Sequence, residues 1–286
     1  MAQLDLRPLS LGEMLDRTFS LYRGHFGLFL GISAIPQILI LGVNLLKVFL
    51  TGAGPGVAGA TPAAAQLGVA GAMVAFVLMI VGAIAYVVSY LYAQGGTVFA
   101  VSDLYLGRPT TIGGSLRRMR GHAANLFGVS LLSGLAAGAA AILLIIPGIY
   151  VACRLITCIP AAVLEDLGAS ASLSRSFELT KGSAGRSFVI YLLYFVILLA
   201  AMALFMYPFA FAAWFYSVRD PGLAPLWLAL TQIGNAIAAV LVTPILTIAT
   251  AVFYYDLRVR KEGFDLQLLM NPDMSAGPAP APSLTS

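Results

Sequence analysis

A chain of 286 residues that is 60% hydrophobic and 10% charged, with a mean hydropathy of +0.92, has too little polar surface for a soluble domain, in which about 25% of residues are charged. Its net charge of +4 and pI near 9.1 do not point to nucleic acid, because the charges stand at the ends of apolar runs, as membrane orientation requires. Histidine aside, nothing ionises between Arg23 and Lys47, Lys47 and Asp103, Arg120 and Arg154, Arg186 and Arg219, or Asp220 and Asp256. Each gap can hold the ~20 apolar residues of a spanning helix.

Taken in order, Ser10 with Glu13 reads as a capping box. Leu11, Leu15, Phe19, Tyr22 and Phe26 then recur on one face of a helix, which predicts an amphipathic piece lying in the headgroup plane. The first span is expected from Phe26 to about Leu50, kinked at Pro36, with Gly27 and Gly31 as a small-residue pair for helix contact. The uncharged Gly-, Ala- and Pro-rich stretch 51–66 reads as an exposed loop. The second span, from about Leu67 to Val101, is too long for one perpendicular crossing and is expected to tilt or to project beyond the membrane. A short basic amphipathic piece, Thr111 to His122, follows. The third span is expected over Asn125–Ile146, with Gly134 and Gly138 as a second small-residue pair.

Pro147-Gly148 reads as the reversal into a fourth span, Ile149–Leu164, and Glu165-Asp166 as its solvated exit. An interfacial helix is expected from about Ala169 to Lys181. The fifth span runs from about Ser187 to Phe215 across Pro208, and Arg219 to Gly222 is a turn. The sixth runs from about Leu226 to Tyr255 and contains Gln232, Asn235 and Pro244. The composition of residues 267–286 predicts a disordered cytoplasmic tail. No cleavable signal peptide is expected, since the first nine residues lack a basic and an apolar region.

The reading is therefore an all-α polytopic helical membrane protein of about six transmembrane helices, with amphipathic interfacial helices. Six spans put thirteen lysines and arginines on one side and only Lys47 and Arg219 on the other, which predicts that both termini are cytoplasmic. Trp214, Tyr216 and Trp227 then fall at the outer interface, and Tyr191, Tyr194, Tyr254 and Tyr255 near the inner one. Residues 17–24, RTFSLYRG, and 175–182, RSFELTKG, share the pattern R-x-F-x-L-x-[RK]-G, and Arg120-Gly121-His122 echoes Arg23-Gly24-His25. This predicts one helical membrane domain over 1–266 built from three like-oriented units, about 10–101, 111–164 and 169–256, each an interfacial helix followed by a hairpin.

The opening LRPLSLGEMLDRTFSLYR, the central IPGIY…R…VLEDLG…SFELTKG and the closing FYYDLRVRKEGFDL resemble a family of bacterial membrane proteins, the glycerophosphoryl diester phosphodiesterase membrane domain. The likeness runs from about Leu6 to Leu266. It implies a helical integral membrane domain, in some proteins fused to a phosphodiesterase, with no assigned biochemical role of its own. The catalytic domain of the fused enzyme has no counterpart in this sequence.

No P-loop, dinucleotide fingerprint, G-x-S-x-G or H-E-x-x-H is present. Phosphodiesterase activity, metal and cofactor are not expected. Cys153 and Cys158 lie five apart on different sides of a helix and read as small apolar fillers. His25 and His122 read as interface anchors. Arg154 is the one ionisable residue well inside a span, where such residues mark function by default. It either snorkels to the outer interface or faces a polar cavity with Gln232 and Asn235.

The interfacial cations Arg17, Arg23, Arg117, Arg118, Arg120, Arg175, Lys181 and Arg186 are candidates for contact with anionic lipid. The expected partners are anionic membrane lipids and a possible membrane protein, without nucleic acid. Thirteen arginines against three lysines suggest a GC-rich bacterial genome, hence a bacterial inner membrane. The function expected is a non-enzymatic membrane scaffold or lipid- or partner-binding domain. The alternative is a transporter or lipid-translocating protein.

Overall fold

The computed structural model describes residues 8–51, 68–220 and 222–263. Arg7, the stretch 52–67, Pro221 and residues 264–286, which include the tail, lie outside the described residues. Among those described there are eleven helices and no strand: α1 (Leu11–Gly24), α2 (Phe26–Thr51), α3 (Gly68–Tyr105), α4 (Ile112–Arg118), α5 (Ala123–Leu143), α6 (Ile145–Arg154), α7 (Cys158–Leu164), α8 (Ala169–Leu179), α9 (Ala184–Phe205), α10 (Tyr207–Arg219) and α11 (Ala224–Glu262).

Among the described residues six segments are long and apolar enough to cross a membrane: Phe26–Leu46, Met79–Tyr105, Ala123–Leu143, Ile145–Leu164, Ala184–Phe205 and Ala224–Glu262. Their outward faces carry large apolar side chains that water would not tolerate. Ile142 is 89% exposed and Ile146 81%, and an apolar surface this continuous on a folded chain is a surface for lipid. The protein is a multi-pass, all-helical membrane protein.

α11 is the axis. Its 39 residues rise about 58 Å at 1.5 Å each, and α1, α2, α3, α9 and α10 all pack on it. Its stretch from Thr247 to Leu257 is buried throughout. The short helix α1 opens with the capping box, Ser10 Oγ accepting from the Glu13 N–H and the Glu13 carboxylate accepting from the Ser10 N–H at 2.7 Å. It is packed onto the bundle along one face. Met14, Thr18 and Tyr22 are buried, while Leu15 and Phe19 close on Ile190, Tyr194 and Leu246 of α9 and α11.

The prolines decide where helices begin. Pro147, Pro160, Pro208 and Pro225 each sit in the first turn of a helix, where the missing N–H costs nothing. Pro147-Gly148 is thus not the reversal. The turn is Leu144, with φ −160° and ψ 141°, and Pro147-Gly148 opens the returning helix. Gly148 is required there because a Cβ would stand 2.5 Å from the Ala141 Cβ across the hairpin. Pro160 likewise breaks the fourth span into α6 and α7, and Pro208 breaks the fifth at Met206.

Pro36 and Pro244 lie inside helices. Pro244 leaves the carbonyl four residues earlier without its donor. Ser33 Oγ of α2 supplies one to that Val240 oxygen at 2.9 Å, and Tyr22 Oη of α1 donates to the adjacent Leu241 oxygen at 2.8 Å. Neighbouring hydroxyls make a broken helical ladder tolerable in lipid.

Three further expectations are corrected. A Cβ built at Gly27, Gly134 or Gly138 meets nothing within 4 Å, whereas one at Gly31 would stand 2.4 Å from Ile112 Cδ1 of α4, so of the two small-residue pairs only Gly31 makes a close helix contact. Other close approaches are at Gly95, Gly148 and Gly234, where a Cβ would meet Met119, Ala141 and Phe205. Tyr254 and Tyr255 are 0% and 4% exposed and belong to the core rather than to an interfacial belt. Glu165 is not solvated; its side chain is 19% exposed and fully engaged, as described next.

Candidate functional site

One end of the bundle gathers nearly every charge in the described residues, and it is knit by three carboxylate hubs. The first is Asp256 on α11, whose side chain is fully buried. It accepts from Arg186 of α9 at 2.7 Å, from Arg260 one turn on at 3.0 and 3.1 Å, and from the Leu9 N–H at 2.7 Å. The Leu9 carbonyl in turn accepts from Arg186 at 3.0 Å and from Arg260. One aspartate therefore ties the segment before α1 to the start of α9 and the end of α11.

The second hub pairs Glu165 with Glu262 around Arg175 of α8. Arg175 Nε donates to both Glu165 oxygens at 3.0 and 2.8 Å, and its NH1 meets Glu262 at 2.6 Å. Tyr254 donates to Glu165 at 2.6 Å, and Arg258 reaches Glu262 at 3.0 Å. Burial alone would favour a neutral Arg175. The hydrogen bonds and charges of Glu262 and Glu165 outweigh it and hold the guanidinium above its ordinary pKa. The third hub is Asp103 on α3, which takes Arg118 at 2.7 Å while that guanidinium lies 4.3 Å over the Phe99 ring.

Of the eight cations read from the sequence, Arg118, Arg175 and Arg186 are thus committed to the fold. Arg17 lies 5.4 Å over the Tyr105 ring, which stacks on Tyr255 at 4.9 Å. Arg23, Arg117, Arg120 and Lys181 are exposed and have no ion-pair partner among the described residues.

Arg154 closes α6. It does not reach the far end. Its Nε donates to Thr180 at 3.0 Å, its NH1 to Tyr150 at 2.9 Å and its NH2 to the Phe177 carbonyl, which ends α8. The break after it exposes its own carbonyl, which accepts from Ser176 Oγ at 2.8 Å and Thr180 Oγ1 at 2.9 Å. Thr157 and Ser176 share a further bond at 2.9 Å. Lys261 adds bonds to the Glu178 and Lys181 carbonyls at 2.9 and 2.8 Å, so two cations cap one helix C-terminus, as the helix dipole favours. The structure does not bring Arg154 to Gln232 or Asn235. Gln232 is buried and accepts from Asn44 of α2 at 3.3 Å, and Asn235 is half-buried one turn below it.

A cavity of about 530 Å³ lies between α3, α5, α6, α7, α9 and α11. Tyr90, Gln94, Ser130, Ser133, Tyr191, Thr247 and Thr250 are its polar members, the rest of its lining is apolar, and no Asp, Glu, Lys, Arg or His lines it. Arg154, Gln232 and Asn235 are not part of it.

Cys153 and Cys158 are buried and free. His122 faces Asp166 at 3.3 Å, and His25 caps the end of α1. Among the described residues no three His, Cys, Asp or Glu side chains converge as metal ligands would. The Asp256 and Glu262 hubs are half legible in the sequence, since Asp256 with Arg260 and Arg258 with Glu262 stand at i,i+4 spacing. Glu165 and the cavity carry no such local signal, because their partners come from distant helices.

No curated protein and no solved structure matches the chain. A family model does match, over residues 132–269, so the stretch that carries the central and closing motifs is included and the opening LRPLSLGEMLDRTFSLYR is not. The matched stretch, from Leu132 in α5 past the end of α11, is similar to the family described as the membrane domain of glycerophosphoryl diester phosphodiesterase.

Proposed function

We propose that the protein is a non-enzymatic membrane domain that gathers anionic lipid around its charged end, which faces the cytoplasm. The observation that carries this reading is the division of labour among the cations. Those that knit the helices together are paired with carboxylates. Arg23, Arg117, Arg120 and Lys181 stand exposed with no ion-pair partner among the described residues, on three separate segments at the same end of the bundle. Near a negative leaflet each such residue gains about 1 kcal/mol, so four of them favour an anionic annulus on the order of 4 kcal/mol if their gains add. The charged end is also braced by three hubs, which suits a platform for a membrane partner.

The transporter alternative has less support. Its candidate path would need Arg154, Gln232 and Asn235 together, and they serve three different surroundings.

The test is the lipid that stays with the protein through mild detergent extraction, quantified by class against the bulk membrane. Wild type should carry an excess of anionic phospholipid that molar salt reduces, since exposed charge is screened. A variant with Arg23, Arg117, Arg120 and Lys181 all changed to glutamine should fall to the bulk ratio. A correctly inserted, folded quadruple variant that keeps the full anionic excess would refute the reading.

A further inference from the structure

The cavity between α3, α5, α6, α7, α9 and α11 is independent of the charged end, and three features say what fills it. The first is its place. Thr250, on its wall, is six residues from the Asp256 hub, about 9 Å of helix rise, so the cavity begins just inside the apolar layer next to the charged end.

The second is its mouth. The wall residues Val87, Phe127 and Leu131 are 39%, 50% and 52% exposed, so the space opens through the lipid-facing surface between α3 and α5. A volume of 530 Å³ is within the ~300–1,000 Å³ range of ligand sites, and apolar walls in contact with fluid hydrocarbon lose packing if left empty. There is room at the wall itself. A Cβ added at Gly134, on the wall, meets nothing within 4 Å.

The third is an unused donor. Tyr191 lines the cavity and its hydroxyl has no hydrogen-bond partner among the described residues, whereas two of the wall hydroxyls are spent within their own helices. Thr250 Oγ1 donates to the Thr247 carbonyl at 3.0 Å, and Ser133 Oγ to the Ser130 carbonyl at 3.1 Å. Charge excludes the alternatives. With no ionisable wall residue apart from tyrosine and Cys158, a phosphate or an amine would be buried unpaired.

We infer that this cavity is a binding site for one ester-linked acyl chain of a membrane phospholipid, with the ester carbonyl accepting from Tyr191 Oη and the headgroup left outside. Hydrophobic transfer does not drive occupancy, because lipid tails are already apolar. Filling the void and satisfying one donor in a medium without water do.

The test reconstitutes the full chain in vesicles of phosphatidylethanolamine and phosphatidylglycerol doped with a phospholipid bearing a diazirine on one acyl chain. Labelled residues are read by peptide mass spectrometry. Wild type should be labelled on wall residues such as Ser133 and Ile156, equally with a zwitterionic or an anionic probe. Gly134→Leu fills the space and should abolish that label, while Gly42→Leu, which also has nothing within 4 Å and lies elsewhere, should retain it. If Gly134→Leu is not recovered folded, Ser130→Leu fills the same wall one turn earlier and is read in its place.

An ester-linked probe should label more strongly than its ether-linked counterpart, and Tyr191→Phe should erase that difference. Wall labelling that persists in a folded Gly134→Leu or Ser130→Leu protein, or no wall labelling in wild type, overturns the site. Equal ester and ether labelling in wild type overturns the role of Tyr191. The quadruple glutamine variant should label as wild type does, so loss of the anionic annulus and loss of this site are read separately.

Discussion

Replacing Asp256 with asparagine should destabilise the protein by on the order of 3–5 kcal/mol, the cost of breaking a buried ion pair by removing one partner. The side chain is fully buried and serves two guanidinium groups and a backbone N–H at once. Asparagine keeps the volume and one acceptor oxygen. It removes the charge and turns an acceptor into a donor that faces Arg186 or Arg260. Both arginines would still reach the Leu9 carbonyl, but their charges would be left uncompensated, that of Arg186 beside the Phe253 ring. Because the hub joins the segment before α1 to α9 and α11, the loss is felt by every helix packed on the axis. Thermal unfolding in detergent should show a much lower midpoint than wild type. Asp103→Asn is the comparison, since that carboxylate is 11% exposed and its partner Arg118 is 43% exposed; its effect should be well under half as large. Equal midpoints for Asp256→Asn and wild type would contradict the account of the hub.

Gly234→Val is expected to be at least as damaging, for a reason of space rather than charge. A Cβ at position 234 would stand 1.8 Å from the Phe205 carbonyl oxygen and 2.8 Å from its carbon. The neighbour is backbone, at the junction where α9 gives way to α10, and it has no rotamer to yield. Either α11 moves off the junction or the junction unwinds. Overpacking of an ordinary core costs ~1–3 kcal/mol, and a clash this deep against main chain belongs at or above the upper end. Even Gly234→Ala should lower the unfolding midpoint clearly, whereas Gly27→Ala, with nothing within 4 Å, should not. A Gly234→Val protein that unfolds at the wild-type temperature would show that α9 and α11 do not meet there.

The spans were legible because a membrane imposes a simple rule on sequence: long uncharged runs with charges at their ends. The capping box at Ser10 and the amphipathic α1 and α8 were legible for the same local reason. Prolines misled where their position in a helix mattered. Pro147-Gly148 reads as a turn by composition, yet a proline in a first turn starts a helix, and the turn fell on Leu144, a residue with no turn signature. Pro160 and Pro208 split spans that hydropathy joins, because hydropathy does not sense a missing N–H.

The charged side chains were legible as a set and not as pairs. Positive-inside counting treats Arg175 and Lys181 alike. Only the fold separates the arginine locked between Glu165 and Glu262 from the lysine left exposed. Arg154 shows the limit most clearly. Its depth along one helix suggested an outward reach, and its actual partners, Thr180 and the Phe177 carbonyl, come from a helix that folds back beside it.

The central claim is that the charged end of the bundle, with its hubs and its exposed cations, faces the cytoplasm, while the Trp214–Arg219–Trp227 end faces out. Reporter fusions that are active only on one side of the membrane test this directly. An externally active reporter should be on after Asp220 and off after Arg108, Glu165 and Lys261. An active fusion after Arg108 or Glu165, or a silent one after Asp220, would place the cations against the wrong leaflet and contradict the account.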